Sequence, residues 1–377
     1  MIELLFVLSL ALVLYLYFGY PLIISFLTLF CSRTGEKSSV LPSVTLLMSA
    51  YNEEAVIEKK IKNSLALDYP KKKLQIIVVS DGSSDKTDAI VKKYGSKGII
   101  LNRVEGRGGK NVAINKSMQL VKGEIVVFCD TNSMYEKNAI NELVCYFSNK
   151  QVGCVSGELR YLDAKTGVGK GEGLYWKYEQ FIKKQESKLG QLLSANGAIF
   201  AVRRKLFKQL NPKVANDFQT PQDVASQGYK VVYAPKAIAF ERTAESAKEE
   251  FNRKTRIIAR GFEGSFILFD KFTGFRFFEW FCHKFLRWLV WIFLVVLFIS
   301  NAFLLDVLVF RWLFYLQILF YFIALLGPLL SKTKLPLVSV PYYFCMVNIA
   351  AMIGLFKFIT RKQKASWEPP KSTRRED

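Results

Sequence analysis

The chain has 377 residues, 51% of them hydrophobic, with a net charge of +21, six cysteines and a single histidine. That length and apolar content exclude a disordered chain and a small stapled scaffold, and leave room for one sizeable core plus further parts. Cysteines without close pairing fit a reduced compartment and exclude a zinc site, and with His283 as the only imidazole, catalysis must rest on carboxylates, amines or a metal.

The first element is an apolar run, residues 4–31, with no charged side chain. It is near the roughly 20 residues that cross a ~30 Å hydrocarbon core as a helix. Without a basic start or a small-residue cleavage site it reads as a retained anchor, kinked at Gly19-Tyr20-Pro21. Beyond it, short β-branched runs at 43–49, 74–80, 98–102, 124–130 and 152–157 predict strands, and the amphipathic segments 53–66, 85–94, 110–121 and 137–147 predict helices. The alternation predicts an α/β domain with a mostly parallel sheet and helices on both faces.

In such a sheet, a switch in winding opens a crevice beyond the carboxyl ends of the strands. Three polar tips fall there: Ala50-Tyr51-Asn52-Glu53-Glu54, Asp81-Gly82-Ser83-Ser84-Asp85 and Asp130-Thr131-Asn132. Each has a bland reading, since Asn52 and Ser84 can cap the helices they precede, Gly82 can serve a turn, and Asp130 can close a strand. Their convergence on one crevice favours a site.

The second half of the soluble region is less regular. Residues 171–189 carry Tyr175, Trp176, Tyr178 and Phe181 among lysines and predict an amphipathic helix. A strand is expected at 199–202, a helix opening at Asn216-Asp217, a strand at 229–233, and a Phe-rich helix lying in the membrane surface over 262–280. Three more uncharged runs, 288–305, 312–331 and 335–356, read as spans, with His283 at the interface. Lysines and arginines collect at 59–62, 71–73, 183–188, 253–260 and 361–364. The later clusters neighbour apolar segments, which points to an anionic bilayer as the partner and not to nucleic acid.

Residues 43–260 resemble the family 2 glycosyltransferases, which have the nucleotide-sugar-binding α/β fold called GT-A, and specifically the membrane-embedded branch that includes hyaluronan, chitin and cellulose synthases. The resemblance rests on the ordered set Ser49-Ala50-Tyr51-Asn52-Glu53-Glu54, Ser80-Asp81-Gly82-Ser83-Ser84-Asp85, Gly109-Lys110-Asn111 with Ala113 and Asn115, Asp130-Thr131-Asn132, and Asn216-Asp217. It implies that Ala50, Tyr51, Glu53 and Asp81 hold the base and ribose, that Lys110 lies near the diphosphate, and that Asp130 and Asn132 hold Mg²⁺ or Mn²⁺. Asp217 takes the place of the catalytic base. The sequence departs from the family pattern in Asn132, where a second carboxylate is common, and in Asn216, where Glu is usual. Processive members carry a Q-x-x-R-W motif; here Arg253-Lys254-Thr255-Arg256-Ile257 keeps the charge in Arg256, puts Arg253 in place of Gln, and lacks the tryptophan. Tyr175 and Trp176 could instead stack on a sugar or simply pack.

The resemblance divides the chain into an anchor (1–32), a cytoplasmic transfer domain (33–261), an interfacial segment (262–284), a region of about three spans (285–358) and a basic tail (359–377). It implies inverting transfer of a hexosyl or N-acetylhexosaminyl group from a UDP-sugar to a saccharide or lipid-linked acceptor, for cell-surface polysaccharide, in a multi-pass inner-membrane protein. Single transfer to a lipid, and an inactive nucleotide-sugar-binding assembly subunit, remain open alternatives, as does the oligomeric state. Arg33 and Lys37 put the amino terminus outside by the positive-inside rule. Four spans would then leave the basic tail outside too, against the same rule.

Overall fold

The computed structural model describes residues 1–30, 41–162, 167–242, 246–329 and 336–362, without the side chains of 167–172 and 336. Arg33, Lys37 and the tail beyond 362 lie outside the described residues. The first apolar run is a single helix, α1 (Ile2–Phe30). The kink expected at Gly19-Tyr20-Pro21 is absorbed by a π-helical turn at Tyr15–Gly19, after which the α-helix resumes through Pro21; the Tyr17 carbonyl, four residues before the proline and so without its helical donor, accepts from the Tyr178 hydroxyl at 2.8 Å.

The soluble region then builds β1 (Val44–Ala50), α2 (Ile57–Leu65), β2 (Leu74–Asp81), α3 (Thr87–Lys92), β3 (Ile99–Val104), α4 (Lys110–Ser117), β4 (Ile125–Asp130), β5 (Met134–Tyr135) and α5 (Ala139–Val144). It continues with β6 (Val152–Leu162), α6 (Gly167–Leu189), β7 (Ile199–Arg203), α7 (Asn216–Ser226) and β8 (Lys230–Arg242). All eight strands join one sheet in the order β3-β2-β1-β4-β7-β6-β8-β5. The pairings from β3 through β4 are parallel, as is β6 with β8, whereas β7 and β5 run antiparallel to their neighbours. Alternate residues of β1 serve opposite faces. Leu46 and Met48 pack with Ile57, Ile61, Ile140 and Leu143 on one side, and Leu47 packs with Ala113, Ile114 and Phe128 on the other. Helices therefore cover both faces.

After β3 the chain returns to the far side of β1, so the winding reverses between β2 and β4. The strand expected at 229–233 is much longer, running to Arg242 past Pro235. Proline has no donor for the ladder, and the pairing with β6 skips there, from Gly157 opposite Ala234 to Glu158 opposite Ile238.

The surface helix expected over 262–280 is two helices. α8 (Ala247–Ile267) runs through the anticipated domain boundary, and Gly274, at φ +53°, breaks the chain before the next. α9 (Gly274–Trp288) and α10 (Val290–Ala302) then meet at a 56° bend, followed by α11 (Leu308–Leu326) and α12 (Pro336–Ile359). Three helices, α1, α11 and Leu337–Ile359, are each long and apolar enough to cross a membrane, and the bent pair makes up to four. α10 packs along α1, and Phe310 at the start of α11 meets Phe6 with ring centroids 5.1 Å apart. α12 lies along α8 instead. Tyr343 reaches Glu250 at 3.3 Å, Gly354 faces Thr255 and Ile258, and Phe358 stacks on Phe262 and Phe266.

Candidate active site

The first two loops beyond the sheet are stitched together. Asn52, in the left-handed region at φ +52°, accepts the Ser84 N–H on its Oδ1 at 2.8 Å; the Glu53 N–H donates to Thr87 Oγ1 at 2.8 Å and the Glu54 N–H to Asp85 Oδ2 at 3.0 Å. Asn52 and Ser84 thus bond to each other and cap no helix, while Asp85 accepts the Thr87 N–H at 2.9 Å. Asp81, only 6% exposed, accepts the N–H groups of Gly108 and Gly109 at 3.0 and 2.8 Å. Gly82 makes this approach possible, since at φ +69° a Cβ there would lie 2.5 Å from the Gly106 carbonyl oxygen. Arg107 lays its guanidinium 4.0 Å from the centre of the Tyr51 ring. An Arg over an aromatic face leaves a flat, cationic edge suited to a nucleotide.

At the end of β4, Lys110 Nζ donates to Asp130 Oδ1 at 2.6 Å. Burial pulls the Lys110 ammonium down, and the carboxylates of Asp130 and then Asp217 more than reverse that, so its pKa stands above the ordinary lysine value. Asp217 sits in the first turn of α7, but Ala215 is the N-cap and no side chain caps that end. Asp217 thus caps no helix. Its carboxylate instead faces a cavity next to Gly197, where a Cβ would come within 3.1 Å of Oδ2.

Arg253, Arg256 and Arg260 recur at helical spacing on α8 and turn one face into the same cavity. The basic cluster at 253–260 is thus not simply a membrane-surface stripe. Arg253 donates to Glu250 Oε2 and to the Tyr161 hydroxyl, both at 2.7 Å. Burial lowers the Arg256 pKa to about 10, with repulsion from Arg260 and Arg253 adding to it and Asp217 and Asp130 opposing.

The cavity is about 570 Å³, and Ala50, Tyr51, Glu53, Asp81, Lys110, Asp130, Asn132, Asp217, Arg253 and Arg256 all line it. Sequence reasoning did not single out Arg107, Arg260, Lys183, Lys284 or Arg287, which line it too. The 3-and-4 spacing of the α8 arginines is the signal that would have added Arg260. His283, expected at the interface, is 2% exposed between Glu186 Oε1 at 2.5 Å and Glu179 Oε2 at 3.3 Å. Trp176 borders the cavity with its indole N–H donated to the Leu159 carbonyl at 2.9 Å, and Ile257, which follows Arg256, lines its wall.

Among the described residues, no group of three Asp, Glu, His or Cys side chains could hold a metal. Asp130 and Asn132 offer a carboxylate and an amide oxygen, and a cation, the Lys110 ammonium, already rests against that carboxylate. Such a set suits Mg²⁺ or Mn²⁺ completed by phosphate oxygens, in place of a resident, all-protein site.

A family model described as glycosyltransferase like family 2 matches residues 42–259. A probable glycosyltransferase, YdaM, of Bacillus subtilis is 30% identical over 233 residues, 59% of this chain and 56% of that protein. The beta-monoglucosyldiacylglycerol synthase of Trichormus variabilis is 30% identical over 175 residues, 45% of this chain and 37% of that protein. The chain thus spans about half or less of the length of these relatives. A solved mannosyltransferase from Pyrobaculum calidifontis, in complex with GDP-Man and Mn²⁺, superposes with a TM-score of 0.71 at 21% identity, covering 95% of this chain and 99% of that one. At that identity the likeness speaks for the fold.

Proposed function

Because the chain belongs to the glycosyltransferase-like family 2, we propose that it is an enzyme that transfers a hexosyl or N-acetylhexosaminyl group, with inversion, from a nucleotide diphosphate sugar to a saccharide or lipid-linked acceptor. The observation that carries this reading is the single cavity lined by Asp81, Lys110, Asp130 and Asp217 together. In it, Ala50, Tyr51, Glu53 and Asp81 receive the base and ribose. Lys110, Arg253 and Arg256 meet the charge of the diphosphate. Asp217 accepts the proton of the acceptor hydroxyl as its oxygen attacks the anomeric carbon from the face opposite the leaving group. Asp130 and Asn132 would hold Mg²⁺ or Mn²⁺, which when bound neutralises charge on the departing diphosphate.

The donor we assign is a UDP-sugar, and the transfer domain faces the cytoplasm of the inner membrane, where nucleotide sugars are made. The product contributes to cell-surface polysaccharide. A second reading, one addition to a lipid acceptor, draws support from Ile257 in the cavity wall and from Tyr17, Val347 and Ala351, which bring apolar helices to the same cavity. Product length with a radiolabelled donor separates the two.

The test of the central claim is a panel of UDP-, GDP- and dTDP-sugars with Mn²⁺ or Mg²⁺, run on the wild type and on Asp217→Asn. Removal of a general base is expected to slow transfer by roughly 100-fold or more with nucleotide binding retained. Undiminished transfer would refute the base assignment, and a wild type inactive on every donor would leave only a sugar-nucleotide-binding subunit.

A further inference from the structure

The corner of the cavity that Asp130 and Asn132 offer to a metal already holds a cation. Lys110 opens α4 and reaches across to the end of β4, where its Nζ donates to Asp130 Oδ1 at 2.6 Å. A helix start attracts anions, and Lys110 adds a full positive charge to it, so this end of α4 calls for an anion and Asp130 is the one it holds. The two side chains are 33% and 37% exposed, so they can part without leaving a buried charge behind.

The other half of the pair is pinned. The Ser133 N–H donates to the Asp130 carbonyl at 3.3 Å, Lys60 donates to the Ser133 carbonyl, and Asn63 bonds both backbone groups of Tyr135 at 2.9 Å. Lys110, on a flexible four-carbon stem, is therefore the partner that moves. To a divalent cation the pinned segment offers one carboxylate, neutralised by Lys110, and the amide oxygen of Asn132. Among the described residues no cluster of three Asp, Glu, His or Cys side chains adds to them. A cation arriving alone meets too few oxygens and no net charge. One arriving with a diphosphate finds the shell completed by phosphate oxygens, and finds Asp130 released, because the diphosphate gives Lys110 a more highly charged anion.

We propose that Lys110 is a built-in stand-in for the metal, that it exchanges Asp130 for the donor diphosphate when the nucleotide enters, and that metal and nucleotide therefore bind as a coupled pair. The inference rests on the glycosyltransfer reading and deepens it by naming the residue that governs metal entry. The contact with Asp130 is about one-third exposed and so holds the metal back by at most about fivefold. The remainder of the coupling comes from the phosphate oxygens. Asn132 keeps the balance, since a second carboxylate there would outweigh Lys110 and admit the metal by itself. Coupling is reciprocal, so the metal tightens the nucleotide by the factor with which the nucleotide tightens the metal.

Mn²⁺ is titrated into the detergent-solubilised full chain, with and without UDP or GDP, and followed by loss of the free-ion electron paramagnetic resonance signal. In the wild type the nucleotide is expected to tighten Mn²⁺ by about tenfold or more. Without nucleotide, Lys110→Met is expected to bind Mn²⁺ about three- to fivefold more tightly than the wild type, even though it binds nucleotide more weakly. A lysine that served the diphosphate alone would leave that affinity unmoved, and a gain cannot come from a chain that fails to fold. Asn132→Asp is expected to bind Mn²⁺ alone about tenfold more tightly, and Asp130→Asn to bind it in neither condition. Three results overturn the inference: a nucleotide that binds yet leaves the Mn²⁺ affinity where it was, no gain in Lys110→Met or Asn132→Asp, or Mn²⁺ bound by Asp130→Asn as by the wild type. Failure of the glycosyltransfer reading looks different, since the wild type then binds no nucleotide, whereas the gain in Lys110→Met is read with none present.

Discussion

Lys60 belongs to the basic cluster at 59–62, yet it is wholly buried beneath the loop that carries Asn132. It donates to the Ser133 carbonyl and stands 3.9 Å from the centre of the Tyr135 ring. Burial lowers its pKa, with Cys129, Asp130 and Glu241 opposing. A lysine depressed in the folded state binds its proton better in the unfolded chain, so stability rises with pH between the folded pKa and the ordinary 10.5. Measured by melting at rising alkaline pH, the wild type should gain on Lys60→Met across that window; parallel curves would mean the ammonium is fully compensated. That Asp130 and Asp217 border one cavity was legible because one ends a strand and the other opens a helix at the same edge of the sheet. Lys60 and Lys183 were not, because a run of lysines does not say which one turns inward. The clue for Lys60 was its phase, on the face of α2 shared by Ile57, Ile61 and Ser64.

Among the elements, the parallel strands and the helices between them were legible from alternation, since a fully buried strand must be apolar throughout. The antiparallel β7, the two-residue β5 and the reach of β8 beyond Pro235 depend on pairing partners far away in the chain, which local pattern does not encode. Loop geometry was half legible: Gly82 was marked for a turn, but its larger service is to let the loop at 106–109 close over Asp81. Gly82→Ala should therefore cost about 1–3 kcal/mol of stability through backbone strain, and nucleotide affinity should fall because the Gly108 and Gly109 amides leave the carboxylate. A titration with unchanged affinity would show that those amides do not help to shape the base pocket.

For the molecule as a whole, the packing of α12 bears on the side to which the chain returns after its last apolar helix. α8 carries Glu250, Arg253, Lys254, Arg256, Arg260 and Glu263 and is too polar to cross hydrocarbon. α12 runs beside it in the same direction, held from Tyr343 to Phe358, although it is itself long and apolar enough to cross. Were α12 to stay with α8 at the membrane surface while α1, the bent pair α9–α10 and α11 crossed, Lys357, Arg361 and Lys362 would return to the side of the transfer domain, in keeping with the positive-inside rule. In a cysteine-free background, Thr360→Cys should react with an impermeant maleimide only from that side, and Phe303→Cys only from the other. Labelling of Thr360→Cys from the Phe303 side would make α12 a crossing helix. α8 also faces two ways: its arginines line the cavity while its opposite surface is fastened along α12. A change in the lipid around α12 thus has a continuous packed route to the arginines, which can be tested. In nanodiscs of a saturated lipid, the Arrhenius plot of sugar transfer should break at the gel-to-fluid transition, and the break should vanish in detergent, making the bilayer's physical state an input to the rate.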